Sequence, residues 1–289
     1  MLSGDTVCLV GKAVNGPPPE ITITFASIQS PRPARGPQQS DEPFAWQARE
    51  YLRKLCIGKQ VSFRIVQNVP AINRTFGDVE LDGEILALAV VRSGWATVKE
   101  SREQYNSACY QSLVELEATA KESKIGIFSD FKEGNVRNIC WNPTPAFAED
   151  LLAKFKGKSI RVVIEYIRDG ATFRCLHLDS MTYVNASLTG VLCPRMNTSP
   201  NTANANKGES GDVTASSGPT PEPEPFALQA KHFTELRLLN REVDLVLDGV
   251  DRSGGLMVTV LHPKGNISVE IVRAGLGRVA DWSLVFLSR

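Results

Sequence analysis

Two short turns in the sequence place an arginine directly after a proline, at Ser30-Pro31-Arg32 and at Cys193-Pro194-Arg195. A guanidinium is well suited to binding phosphate, because its planar fork can pair with two oxygens at once. Since the same arrangement occurs twice, we expect an anion-binding site at each turn, with Arg32 and Arg195 as the cations.

Other reactive residue types form no recognisable constellation. The histidines His177, His232 and His262 are far apart in the sequence, and the six cysteines contain no C-x-x-C pair, so no metal site is expected. The glycine-rich "RSGG" does not have the spacing of a phosphate-binding loop. We therefore expect free thiols in a reducing compartment, which favours the cytoplasm and also permits the nucleus.

The composition is that of a globular protein large enough for two domains. Lys+Arg and Asp+Glu both total 32 among 289 residues, so net charge gives no argument for a nucleic-acid partner, although a local basic face remains open. No signal peptide and no apolar run long enough to span a bilayer is recognisable. We expect a monomer that does not associate with membranes.

One segment of the chain occurs twice. "DEPFAWQARE" at 41–50 returns as "PEPFALQAKH" at 223–232. We interpret each copy as the start of a helix, with Asp41 and Glu42 near its positive end and Pro43 in its first turn. Helical spacing predicts that these side chains face inward: Phe44, Ala48, Tyr51, Leu52 and Leu55 in the first copy, and Phe226, Ala230 and Phe233 in the second.

The elements around the repeated helix also recur, in the order strands, helix, strands, helix, which indicates an α+β protein built from two similar domains. We predict a first domain at 1–135, a linker with a short helix at 136–158, and a second domain at 159–289. A long helix over about 105–122 closes the first domain, and the second is expected to lack it. Residues 196–225 contain almost no large apolar side chain, which predicts a disordered insertion.

These motifs together resemble the tandem staphylococcal-nuclease-like repeats of the Tudor staphylococcal nuclease family. The similarity rests on "GPPPE", "EPFAWQAREYLRKLCIGKQV", "EPFALQAKHFTELRLLNREV", "LHPKGNI" and "VADW", and it covers nearly the whole chain. It implies two OB-fold barrels with appended helices. It also implies an RNA-associated role, and as partners the proteins of small-RNA silencing complexes, splicing or transcription.

The resemblance further implies where nuclease chemistry would be located. Catalytically competent relatives use carboxylates that hold Ca²⁺, a glutamate base and two arginines. In the first repeat only Asp5 matches this pattern. The other positions hold Thr24, Gln29, Arg32 and Asp78, and the second repeat has Ala171, Ser187, Leu192 and Arg195. We therefore expect no cofactor and no catalysis by this chain alone.

Three functions remain open. The first is RNA binding by basic residues along the barrels, for which the candidates are Lys12, Arg32, Arg35, Arg49, Arg53 and Lys54, then Arg195, Lys231, Arg237 and Arg241. The second is a Ca²⁺-dependent endoribonuclease whose activity comes from the full-length protein. The third is a platform that binds a partner peptide between the two repeats, for which the resemblance implies Gln229, Ala230, His232, Phe233, Arg237 and Leu238.

Overall fold

The computed structural model describes residues 1–14, 17–100, 108–130, 135–156, 158–196, 222–263 and 265–287. The chain divides into two units, Met1–Asn138 and Ile139–Arg289. The expected α+β class and the two nuclease-like barrels with added helices are confirmed. Most of the predicted insertion at 196–225 lies outside the described residues, as does the start of the helix predicted over 105–122.

The first unit is a twisted sheet with helices packed on one end. Its elements in chain order are β1 (Thr6–Val10), β2 (Glu20–Phe25), β3 (Ile28–Gln29), α1 (Ala45–Cys56), β4 (Ser62–Val69), β5 (Arg74–Leu81), β6 (Glu84–Ile85), α2 (Leu86–Arg92), β7 (Thr97–Val98) and α3 (Ala108–Glu122). The main strands lie in the order β1-β2-β5-β4, and β2 pairs in parallel with β5. Val7, Ile23, Leu52, Val79 and Val90 are among the residues that fill the core.

The second unit repeats this plan with one additional strand and one additional helix at its start. Its elements are α4 (Pro145–Phe155), β8 (Ser159–Ile167), β9 (Thr172–His177), β10 (Thr182–Leu188), β11 (Val191–Leu192), α5 (Ala227–Leu238), β12 (Glu242–Val250), β13 (Leu256–His262), β14 (Gly265–Asn266), α6 (Ile267–Arg273), β15 (Arg278–Val279) and α7 (Asp281–Leu284). The order β10-β9-β8-β12-β13, with β10 paired back to β13, closes a five-stranded barrel.

The boundary between the units differs from the expected linker at 136–158. The short helix in that segment is α4, and its Ala148 and Leu151 are buried in the same hydrophobic core as Ile160 and Leu245. Because α4 contributes apolar side chains to this core, it is part of the second unit rather than a connector.

The two copies of the repeated segment begin their helices in the same unusual way. Phe44 and Phe226 each precede their helix in the left-handed region, with φ of 66° and 67°. Phe44 is buried beside Trp95, with ring centroids 6.4 Å apart. The prediction that Phe226 faces inward is wrong, because its side chain is 63% exposed. The smaller Leu276 occupies the position equivalent to Trp95, which leaves the Phe226 ring without the same cover.

A glycine in each unit lies directly against the repeated helix. A Cβ added to Gly4 would lie 2.8 Å from Cβ of Ala48, and one added to Gly170 would lie 2.8 Å from Cβ of Ala230. Ala48 and Ala230 are both fully buried. The repeated sequence therefore keeps an alanine at this position because the backbone of the glycine loop packs on it.

We predict that Gly4→Ala destabilises the first unit by about 1–3 kcal/mol, since the added methyl group overpacks the contact with Ala48. Gly36→Ala is the matched control, because a Cβ there meets no atom within 4 Å. Urea unfolding followed by circular dichroism measures the difference. Equal unfolding midpoints for the two variants would contradict the packing argument.

Candidate functional site

The two Pro-Arg turns are attached to the repeated helices by the same pair of hydrogen bonds. In the first unit the Arg32 amide donates to the Glu42 carboxylate at 2.7 Å, and the Glu42 amide donates to the Arg32 carbonyl at 3.0 Å. In the second unit the Arg195 amide donates to Glu224 at 2.8 Å, and the Glu224 amide returns a bond of 3.0 Å to the Arg195 carbonyl. We call this arrangement the glutamate clamp.

The acidic residues before α1 therefore have a different role from the one predicted. No acidic residue lies in the first turn of α1, so Asp41 and Glu42 do not stabilise that end of the helix. Asp41 is buried, accepts from the Ala34 amide at 2.7 Å, and pairs with the Arg137 guanidinium at 2.6 and 3.0 Å. Both carboxylates hold the loop that precedes the helix.

Asp5, the one acidic residue that matches the nuclease pattern, is committed to local structure. Ser3 and Thr6 donate their hydroxyls to Oδ1 at 2.6 and 3.0 Å, and the Ser30 amide donates to Oδ2 at 3.0 Å. Thr6 also lies 3.2 Å from the hydroxyl of Thr24. The two oxygens of Asp5 thus join the start of β1 to the loop after β3.

The remaining positions in the first unit do not complete a catalytic group. Gln29 and Arg32 are exposed, and Thr24 is buried against Thr6. Asp78 forms an ion pair with Arg64 on the neighbouring strand, with Nη2 and Oδ2 2.7 Å apart. The residues present do not fit a Ca²⁺ site, which needs several free carboxylate oxygens. Of the two carboxylates at these positions, Asp78 is paired with Arg64, and both oxygens of Asp5 accept hydrogen bonds from its neighbours.

The four equivalent positions in the second unit do come together. Ala171, Ser187, Leu192 and Arg195 all line one cavity of about 400 Å³. The positions that the resemblance assigns to nuclease chemistry are therefore neighbours around this space, which we call the cleft. Asp169 is the acidic residue in its lining, and its Oδ1 accepts from the amides of Ala171 and Thr172 at 2.9 and 2.8 Å.

Cationic and aromatic side chains now border the cleft. Arg168 and Arg195 are exposed, and neither guanidinium forms an ion pair within the described part of the chain. The Trp282 side chain is 61% exposed at the same cavity. Cys193 forms part of the wall, where burial raises the pKa of its thiol to about 12, so the thiol is neutral at physiological pH. The cleft therefore presents positive charge and an aromatic face.

A second cavity of about 570 Å³ adjoins the cleft and shares Arg168, Thr172 and Ser187 with it. Its walls come from strands β9 and β10, from the loop 251–255 and from the segment before α4. Trp141 and Tyr183 stack there with ring centroids 4.6 Å apart.

Arg174 is held against these two rings. Its guanidinium carbon is 4.6 Å from the centre of the Tyr183 ring, and its Nη2 donates to the Trp141 carbonyl at 2.5 Å. Burial lowers the pKa of Arg174 from its ordinary value. Sequence reasoning missed Trp141, Arg174 and Tyr183. The available signal was the alternation along β9 and β10, which places Arg174 and Tyr183 on the outer face of the sheet.

Several predicted basic contacts differ in their exposure. Lys12, Arg35 and Lys54 are exposed, as expected for surface contacts. Arg49 is 5% exposed and its Nε donates to the Met1 carbonyl at 3.4 Å, so the expectation of a surface contact at Arg49 is wrong. Arg53 is likewise buried and bonded to Glu50 at 2.6 and 2.8 Å.

In the second unit the predicted cations on α5 and directly after it are partly engaged. Lys231 and Arg241 are half-buried, and the Lys231 ammonium is 3.7 Å from the Glu235 carboxylate. Arg237 donates to the Phe233 carbonyl at 2.8 Å and covers the Phe233 ring at 3.3 Å.

The residues expected to bind a peptide all lie on α5, but not all face outward. Ala230 and Leu238 are fully buried in the core, so they cannot contact a peptide and the expectation for them is corrected. Phe233 packs partly against the core beneath Arg237. Gln229 is exposed and His232 is half-buried. Four of the six residues thus have some accessible surface.

The described residues contain neither a metal-binding cluster nor a membrane-spanning helix. No group of three or more His, Cys, Asp or Glu side chains there could hold a metal ion. No helix in those residues has the length and apolar character needed to cross a membrane. All six cysteines are free of disulfides.

Comparison with known proteins identifies the origin of this architecture. The family model for staphylococcal nuclease homologues matches residues 22–130 and 186–284, which is more than half of the chain. The chain belongs to the staphylococcal nuclease homologue family. Its two matched segments are tandem nuclease-like repeats, as the resemblance to the Tudor staphylococcal nuclease family implied.

Three named relatives cover almost all of the chain. Ribonuclease TUDOR 1 of Arabidopsis thaliana is 37% identical over 97% of this chain and 32% of its own length. Staphylococcal nuclease domain-containing protein 1 of Drosophila melanogaster is 35% identical over 99% of this chain and 30% of its own length. The protein of the same name in Schizosaccharomyces pombe is 31% identical over 91% of this chain and 29% of its own length. The chain thus spans about a third of the length of these relatives.

We predict that Glu224→Ala loosens the turn that carries Arg195, because the Arg195 amide loses its carboxylate acceptor. Loss of a hydrogen bond worth about 0.5–1.5 kcal/mol should make exchange of the Arg195 amide roughly two- to tenfold faster. Hydrogen–deuterium exchange over 193–196 measures the effect. Asp179→Ala, which removes an exposed carboxylate elsewhere in the unit, is the control. Unchanged exchange at Arg195 would show that the clamp does not hold the turn.

Proposed function

We propose that this chain is an RNA-associated binding and scaffold module of a Tudor staphylococcal nuclease protein. The observation that carries the proposal is the cleft of the second unit, which is bordered by the exposed cations Arg168 and Arg195. One of the relatives is named a ribonuclease, which supports RNA as the ligand.

The chemistry of the site favours binding over hydrolysis. Metal-assisted cleavage needs carboxylates for the ion and a base for the water. In the second unit the base position holds Arg195, and the first carboxylate position holds Ala171. Removal of one electrostatic catalytic group commonly costs about 10²–10³ in rate, so several replacements together leave no basis for the ancestral reaction. We therefore propose that this chain does not use Ca²⁺.

The two adjoining cavities suit a single strand of RNA. Arginine guanidinium groups pair with phosphate oxygens, and exposed aromatic rings stack on unpaired bases. Arg168 and Arg195 would bind the phosphates at the cleft, and Trp282 offers a stacking face beside them. The face formed by β9, β10 and the loop between β12 and β13 corresponds to the surface that OB folds use for oligonucleotides.

The cellular role follows from the family and is part of the proposal. Small-RNA silencing, RNA processing and transcriptional coactivation are the settings in which such a module would act, in the cytoplasm and also in the nucleus. The raised pKa values of buried thiols such as Cys56, about 11, keep them protonated and are compatible with a reducing compartment. An endoribonuclease activity of the full-length protein would come from parts of that protein outside the two units described.

A protein-binding platform is the second candidate, and one surface favours it. On α5 and α6 four large apolar side chains are between 37% and 52% exposed, namely Leu228, Leu236, Val269 and Val272. Apolar residues exposed together on neighbouring helices are a common feature of peptide-binding surfaces. The accessible edge of Phe233 under Arg237 lies on the same helix.

We predict that the purified chain binds a short single-stranded RNA in a salt-dependent manner. Arg168→Glu and Arg195→Glu should each weaken binding about tenfold or more, since each removes a charge-assisted contact and adds repulsion. The slope of log K against log salt should fall by about 0.7 for each lost phosphate contact. Fluorescence anisotropy measures both. Lys158→Glu is the charge-matched control at the other end of β8 from Arg168.

The same titration separates the three functions. The RNA module would be contradicted if binding were insensitive to both arginine variants. RNA binding that is negligible at physiological salt, while a partner peptide binds, would favour the platform. Cleavage of the RNA that requires Ca²⁺ and is lost in Asp5→Ala would overturn the rejection of catalysis.

A further inference from the structure

The larger cavity of the second unit contains a cation and a carboxylate that are not paired with each other. Arg174 and Asp251 both line this space of about 570 Å³, and both are half-buried. Within the described part of the chain, the Arg174 guanidinium forms no ion pair with Asp251 or with any other carboxylate. A charged group that is withdrawn from water is costly unless it finds a partner. The cavity therefore has unused capacity both to donate and to accept hydrogen bonds.

Arg174 is held in one orientation by its surroundings. Its Nη2 donates to the Trp141 carbonyl, and its guanidinium carbon lies 4.6 Å from the centre of the Tyr183 ring. The segment that carries Trp141 is fixed in turn. The Cys140 amide donates to the Met181 carbonyl at 3.1 Å, and the Tyr183 amide donates to the Cys140 carbonyl at 2.9 Å. The Nε and Nη1 groups of Arg174 donate to no described residue, so a rigid guanidinium with free donors borders the cavity.

Asp251 is fixed on the opposite wall through one of its two oxygens. Its Oδ1 accepts from the amide and the hydroxyl of Ser253, both at 2.7 Å, and from the Gly255 amide at 2.9 Å. Its Oδ2 accepts no hydrogen bond from the described residues. A Cβ added to Gly254 would lie 3.2 Å from Cβ of Pro145, so the loop packs on the start of α4. One carboxylate oxygen is therefore available on a loop that is held in place.

The shape of the cavity suits a flat ligand with polar edges. Ala148, Phe173 and Val184 line it and are only 5%, 1% and 4% exposed, so part of its wall is the apolar core itself. Tyr166 lines the same space and is 41% exposed. A mostly apolar pocket with a few polar groups is typical of small-ligand sites, and unpaired bases stack on exposed aromatic rings. An unpaired nucleobase has both properties.

We propose that this cavity binds one unpaired guanine base of the RNA, with Arg174 at O6 and N7 and Asp251 at the N1–H and N2–H groups. Arginine pairs with the two acceptors O6 and N7 of guanine in a bidentate manner. A carboxylate accepts well from adjacent N–H donors. The inference rests on the proposed RNA binding, and it adds a base preference that phosphate contacts at the cleft cannot supply. We call the cavity the guanine pocket.

Other occupants leave one of the two charged groups unsatisfied. Adenine has an N6 donor beside N7, so it would present a donor to Arg174. On the equivalent edge cytosine presents its N4 donor and uracil a single O4 acceptor. A phosphate would pair with Arg174 but would be repelled by Asp251. Guanine alone among the RNA bases offers two acceptors on one edge and two donors on the next.

The test compares RNAs that differ at a single base. A labelled uridine-rich RNA with one central guanosine is titrated into the full chain, and its anisotropy is compared with that of the same RNA carrying adenosine or uridine at that position. We expect the guanosine RNA to bind about tenfold more tightly than either. Replacing guanine with 7-deazaguanine removes the N7 acceptor alone. It should weaken binding about fivefold or more, since a charge-assisted hydrogen bond is lost.

Two protein variants assign the preference to the pocket. Asp251→Asn keeps an oxygen for the bonds to Ser253 and Gly255 but removes the charge, so it should abolish the preference for guanosine over adenosine. Asp244→Asn is the matched control, because Asp244 is an exposed carboxylate of β12 that does not line the cavity. Arg174→Gln should bind guanosine and 7-deazaguanosine RNA equally. A merely structural role for Arg174 would weaken both and preserve their ratio.

The outcomes separate this inference from the proposed function. Equal affinity of the wild-type chain for guanosine and adenosine RNA, with both still weakened by Arg195→Glu, would overturn the guanine pocket and leave the RNA module intact. Absence of saturable binding by all of these RNAs would overturn both. A guanosine preference that survives in Asp251→Asn and in Arg174→Gln would locate the base elsewhere, and it would also overturn the assignment.

Discussion

The glutamate clamp connects the two parts of each unit that matter for function. The chain leaves the barrel after β3 or β11 at Arg32 or Arg195, and Glu42 or Glu224 lies directly before the repeated helix. The reciprocal bonds between Arg32 and Glu42, and between Arg195 and Glu224, join these two points. The left-handed Phe before each helix and the alanine that packs on Gly4 or Gly170 complete the junction.

The clamp gives a structural role to the glutamate that the two repeated segments share. The glutamate acts through its carboxylate on a backbone amide, so it holds the loop whatever side chain follows the proline. In the second unit the clamp positions the turn of Arg195, which lines one cavity together with Ala171, Ser187 and Leu192.

The sequence predicted the architecture well because duplication and periodicity report burial. The helix at each repeated segment follows from helical spacing, whereas the two barrels and the positions that surround the cleft were implied by the resemblance to the nuclease family. Periodicity does not identify partners, however. It assigned Asp41 and Glu42 to a helix end rather than to loop amides, and it placed Arg49 on the surface although its guanidinium is enclosed.

An error also arose where one unit was used as a guide to the other. Phe226 loses its cover because Leu276 stands at the position of Trp95. Burial at this position depends on a residue that is distant in the sequence, which a local pattern does not contain. Trp141 was missed for a related reason, since it lies in a polar connection and gains its role only by stacking on Tyr183.

The central claim is that the second unit keeps the ancestral cleft as a site for RNA without its chemistry. Ultraviolet cross-linking of a uridine-rich single-stranded RNA to the chain, followed by mass spectrometry of the cross-linked peptides, tests it most directly. The account predicts cross-links at the aromatic residues of the two adjoining cavities, Trp282, Tyr166, Tyr183 and Trp141. Cross-links confined to the first unit or to α5, with none at these residues, would contradict it.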